Sequence, residues 1–227
     1  KTARILLLMN VETVRRNAQS SERYSFSEHA RRLWSLEHIH AQNSEGLNTV
    51  EQWTAWLNEH RSALDVLDLT TEKQKQLQDR IDDALPTINS DSFDVLHREL
   101  VSLFTDSADV NDAAGSGAAD REEIDSIANL ALLSRDDNSV LNNSVFEVKR
   151  RHVIRLDQSG SYIPLCTRNV FLKYYDTTTA AQQIHFWGPR DRSAYLSAMH
   201  ESLMPYLLED KPENDPIEPD DFEEGAA

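Results

Sequence analysis

Leu33-Trp34-Ser35-Leu36-Glu37-His38-Ile39 alternates its side chains in the manner of a strand, and a second short apolar run follows far downstream, Ile127-Ala128-Asn129-Leu130-Ala131-Leu132-Leu133. The rest of the chain reads mostly as helix. Apolar residues recur at helical spacing over residues 2–19, and a short helix precedes the first strand. Residues 49–67 place Trp53, Trp56 and Leu57 on one helical face, which marks them as core. Residues 71–84 are opened by Thr70-Thr71-Glu72 and closed before Pro86. Helices are also predicted over 91–104, 145–156 and 190–208, the last with Tyr195, Leu196, Met199, Leu203 and Leu207 at helical intervals. Residues 136–143 read as a polar turn, 43–48 as a break and 106–120 as a flexible loop, while 162–175 show no assignable pattern. Two short strands among helices give the class α+β, helix-dominated, with a long helical insertion over 44–123 between the strands.

This organisation divides the chain into an N-terminal helical segment, 1–30, a main domain, 31–208, and an acidic tail, 209–227, expected to be disordered. The chain begins at Lys1 within a helical pattern, so a preceding domain is expected. Formal net charge is -16 over 227 residues, which at first argues against a nucleic-acid partner. The charge is uneven. Residues 209–224 hold nine acidic side chains and one lysine, whereas 144–192 hold eight Lys/Arg against four Asp/Glu. A local basic surface of that kind suits phosphate. Cys166 is the one cysteine, so neither an internal disulfide nor a cysteine zinc cage is available, in keeping with a reducing cytoplasm. Ile5-Leu6-Leu7-Leu8-Met9 is too short to span a bilayer and lacks signal-peptide anatomy.

Three local signals carry chemistry when taken in order: Glu37-His38, then Asn129 at the second apolar run, then Asp137-Asn138. Hydrolysis of a phosphodiester needs a base for the attacking water, a divalent cation for the charge that builds on oxygen, and a means of holding the phosphate in line. A free imidazole titrates near neutrality and suits the first role. Mg²⁺ takes oxygen ligands and keeps several waters, so one carboxylate and one amide oxygen suffice for the second. Glu37, His38 and Asn138 match that inventory. Because neighbouring strand residues point to opposite faces, Glu37 and His38 share a cleft only if the strand ends or distorts there, which Ala41-Gln42-Asn43 would allow. Asn129 is placed to clamp the turn between the strands.

These segments resemble the HNH (His-Me finger) nucleases, and specifically the C-terminal part of the GmrSD-type, modification-dependent restriction endonucleases. The residues carrying the resemblance are Glu37-His38-Ile39-His40-Ala41-Gln42, Ile127-Ala128-Asn129-Leu130-Ala131-Leu132-Leu133, Asn138-Ser139-Val140-Leu141-Asn142 and Phe146-Glu147-Val148-Lys149. Phe186-Trp187 and Asp191-Arg192-Ser193-Ala194-Tyr195-Leu196 look like that family's closing helix. Ala41 departs from the usual proline, and Glu37 stands where many HNH enzymes carry aspartate. The resemblance implies a ββα-metal core in which His38 is the general base, Asn129 braces the finger, and Glu37 and Asn138 bind Mg²⁺ or Mn²⁺. It implies a DNA endonuclease of antiviral defence, acting on double-stranded phage DNA beside an N-terminal domain that senses modified DNA and hydrolyses nucleotide. One site per chain nicks; a double-strand break needs two events or a homo-oligomer.

Bland alternatives stand beside each assignment. Lys149, Arg150, Arg151 and Arg155 lie on one helix and are assigned to substrate phosphate, with Arg168 and Lys173 read the same way, although a run of that kind is more often a solvated face. His40, on the same strand face as His38, is assigned with them as a substrate contact or a bystander, in preference to a second metal ligand. Two rival functions are a DNA-binding module without turnover and a helical protein-interaction domain that docks a partner through the insertion and the acidic tail.

Overall fold

A computed structural model describes residues 1–17, 19, 21–40, 47–109, 126–141, 143–175 and 184–207, without the side chains of 106–109 and 140. Residues 43–46 of the break expected over 43–48, 110–120 of the loop expected over 106–120, Asn142 and the acidic tail lie outside the described residues. Helix α1 spans Thr2–Arg16 and α2 Phe26–Arg31, followed by strand β1, Trp34–His38. Helices α3 (Val50–Ala63), α4 (Thr71–Ala84) and α5 (Ser90–Asp109) come next. Strand β2 spans Leu130–Ser134, and α6 (Arg135–Leu141), α7 (Phe146–Gln158), α8 (Leu165–Phe171) and α9 (Pro189–Leu203) complete the order. The class is α+β, with helix dominant. Among the described residues no helix is long and apolar enough to cross a membrane.

Local chemistry explains the boundaries. Thr49 and Gln52 form a reciprocal capping box at the start of α3. Thr70 caps α4 through Lys73 N–H, and the helix gives way at Leu85–Thr87, around Pro86. Residues 136–143, expected to be a turn, instead begin as helix α6. Ser134 Oγ accepts from Asp137 N–H at 3.2 Å and donates to the Asp137 carboxylate at 2.5 Å, which starts the helix directly from the end of β2. The second apolar run is also divided: Ile127–Asn129 is a 3₁₀ turn, and the strand begins at Leu130.

The two strands pair antiparallel, Trp34 opposite Ser134 and His38 opposite Leu130. Just beyond the ladder Ile39 N–H donates to Asn129 O, and Arg135 N–H donates to Leu33 O. Odd-numbered β1 residues therefore face β2 with their backbone groups, leaving Leu36 and His38 carbonyls on the open edge. An unpaired edge invites association unless covered. Here Asn138 and Lys149 cover β1, while Thr167 Oγ1 donates to Leu132 O and Tyr195 Oη to Leu130 O on the far side of β2.

Two apolar clusters flank this small sheet. One lies in the insertion and includes Trp56, Leu57, Leu77, Ile81, Phe93 and Phe104. The other gathers Leu6, Ile39, Leu132, Phe146, Phe171, Trp187 and Tyr195 against the hairpin. Helix α7 joins them, since Val148 belongs to the first and Phe146 and Val153 to the second. Trp56 is core, as its spacing suggested, and Trp187 is buried as well.

Candidate active site at the end of strand β1

His38 is the last residue of β1, and its side chain is exposed. Among the described residues no hydrogen bond to its ring is found. The backbone around it is held tightly. Asn129 Nδ2 donates to His40 O and Asn129 Oδ1 accepts from His40 N–H, each at 3.0 Å, while Ile39 N–H donates to Asn129 O at 2.8 Å. Lys149 Nζ donates to His38 O at 2.5 Å. A free imidazole thus sits on a fixed backbone.

Asn138 lies on α6, half-buried against β1. Its Nδ2 donates to Ser35 Oγ at 2.8 Å and reaches Leu36 O at 3.4 Å. Leu36 is two residues before His38, a separation of about 7 Å along a strand. The chain-distant amide and imidazole therefore meet the same short strand. With Nδ2 committed to β1, Oδ1 keeps its acceptor capacity.

Glu37 corrects the expectation that it ligates a metal. β1 runs in register through His38, so the two side chains leave opposite faces, Glu37 buried and His38 exposed. The Glu37 carboxylate is ion-paired with the Lys149 ammonium. Lys149 is likewise corrected as a phosphate contact: only 1% of its side chain is exposed. Burial lowers its pKa, opposed by the charge and hydrogen bond of Glu37.

Other expected phosphate contacts are also engaged inside the protein. Glu147 is buried and takes Arg151 Nε at 2.7 Å, Arg150 at 3.7 Å and His185 Nδ1 at 2.8 Å. Arg151 also donates to Ser62 O, tying α7 to α3. Farther along, Arg168 pairs with Glu22 and Asp157, and Lys173 with Asp191. Arg150, Arg151, Arg168 and Lys173 are thus paired within the molecule, whereas Arg155, on the same helix as Lys149, is exposed.

His40 has an internal role as well. It is buried, and its Nδ1 accepts from Phe146 N–H at 3.3 Å while Nε2 lies 3.4 Å from Thr105 Oγ1. His60 Nε2 accepts from Val145 N–H at 3.2 Å, and its Nδ1 donates to Trp56 O at 2.8 Å. Val145, at the N-cap of α7, offers no capping side chain. Two neutral imidazoles supply acceptors for N–H groups that the start of a helix leaves without partners. Burial holds both rings down to about 3; Lys149 and Arg192 add to the effect at His40, and His97, His40 and Lys149 at His60, against a hydrogen bond to Trp56 O. His60 and Ser35 were not singled out from the sequence; no spacing signal links either to its distant partner.

Among the described residues no group of three or more His, Cys, Asp and Glu side chains could hold a metal ion. Comparison with protein-family models, with characterised proteins and with solved structures finds no match to this chain.

Proposed function

We propose that the chain is a divalent-metal-dependent endonuclease of the HNH type, with β1, β2 and α6 as its ββα-metal core and DNA as its substrate. The observation that carries this reading is an exposed His38 ring, without a hydrogen-bond partner among the described residues, on a backbone fixed from both sides. Catalysis by a general base needs that combination, because the base must be accessible yet held in place.

In this reading His38 takes a proton from the water that attacks phosphorus. Asn129 and Lys149 hold the strand end from which the imidazole projects. Asn138 Oδ1 would hold the cation, whose remaining positions water and substrate phosphate would fill. The cation would offset charge on the phosphoryl and leaving oxygens. The 3′-oxygen leaves, giving 5′-phosphate and 3′-hydroxyl ends. A role in defence against phage DNA, beside a sensor domain, follows from the sequence resemblance alone.

A second reading is a DNA-binding module without turnover. It is favoured by the withdrawal of Glu37 into its pair with Lys149, which leaves Asn138 as the one proposed protein ligand. Plasmid nicking separates the two. Wild-type chain with Mg²⁺ is expected to relax supercoiled DNA, chelation to stop it, and Asn138→Ala to slow it at subsaturating Mg²⁺. DNA binding without any metal-dependent cutting would favour the second reading.

A further inference from the structure

We propose that Lys149 is a positioning residue for His38, acting through the backbone and not on the substrate; this rests on the reading of His38 as the base. A buried ammonium is an expensive way to fill space. Desolvating a charge pair costs several kcal/mol, and apolar residues of similar volume are often as stable or more so. The pair of Lys149 and Glu37 is placed where such a cost has a use. Lys149 reaches across from α7 to β1, touching the carboxylate of Glu37 and the carbonyl of His38.

The contact closes a ring of bonds around residues 37–40. Asn129 holds the backbone of His40 on the β2 side. The His40 ring accepts from Phe146 N–H at the first turn of α7. Lys149, one turn further on, returns to His38 O. Only the His38 side chain points out of this ring. Without the ammonium, the strand end keeps its Asn129 clamp but loses the hold on its open edge, and the imidazole gains freedom. A displacement of about 1 Å is enough to cost on the order of 100-fold in rate.

The test must separate positioning from folding. Lys149→Met alone leaves Glu37 buried and unpaired, so the informative variant is the double substitution Glu37→Leu with Lys149→Met, which removes both charges. It is expected to melt at or above the wild-type temperature. Backbone ¹⁵N relaxation is expected to show new motion at His38 and Ile39, confined to the strand end. In plasmid nicking with Mg²⁺, kcat is expected to fall by about 10- to 100-fold with KM changed by less than about twofold. A folded double variant with wild-type relaxation at His38, or with wild-type kcat, would overturn the proposal. If the wild-type chain itself does not cut, the reading of His38 as base has failed, and the relaxation data still decide the tether.

Discussion

The side-chain amide of Asn129 and the backbone of His40 exchange two hydrogen bonds, each 3.0 Å long, across 89 positions of sequence. The pair is buried, so water does not replace either bond if the amide is removed. Asn129→Ala is expected to destabilise the chain by about 2–4 kcal/mol, because two backbone groups lose their partner in a dry site. Equilibrium urea unfolding measures this. A loss below about 0.5 kcal/mol, the range of ordinary surface substitutions, would show that the clamp is dispensable.

The two buried histidines make stability depend on pH. Both folded rings are held to about 3, below the ordinary value of about 6.5. The unfolded chain therefore binds protons that the folded chain refuses as pH falls below 6.5. Stability is whole above that value and is lost on acidification, by about 1.4 kcal/mol per pH unit for each ring. Urea unfolding between pH 7 and 4.5 tests this above the main carboxylate range. His60→Gln is expected to remove one ring's share of the slope. A flat profile would contradict the neutral caps.

Arg150 and Arg151 are expected to matter for folding more than for DNA. Arg151→Ala removes a charged bond to Glu147 and one to Ser62 O, with an expected loss of about 1 kcal/mol after allowance for solvent screening. The dependence of DNA affinity on salt is expected to keep its slope in that variant. Arg155→Ala, at an exposed position on the same helix, serves as the comparison. A slope reduced by about one on losing Arg151, as a phosphate contact would give, would restore the original assignment.

How far the sequence could be read depends on the range of the interactions involved. Residues 71–84 were predicted as a helix with the bounds now observed, because Thr70 and Pro86 act within a turn. The polar residues of helix α6 predict a turn. The helix signal was nevertheless present, as Ser134 followed three residues later by Asp137. Strand alternation already implied that Glu37 and His38 part company. The partner of Glu37 was hidden, since Lys149 sits in a basic run that resembles a solvated face, and only folding brings the two together. The same holds for His40 and His60, whose partners on α7 lie about one hundred positions away.

His38 carries the proposed chemistry, and plasmid nicking by His38→Ala in Mg²⁺ tests it directly. Its side chain is exposed, so the variant is expected to fold as the wild type does. Its nicking rate is expected to fall by about 100- to 10,000-fold, the range for loss of a general base. Cutting by the folded variant at the wild-type rate would contradict the assignment.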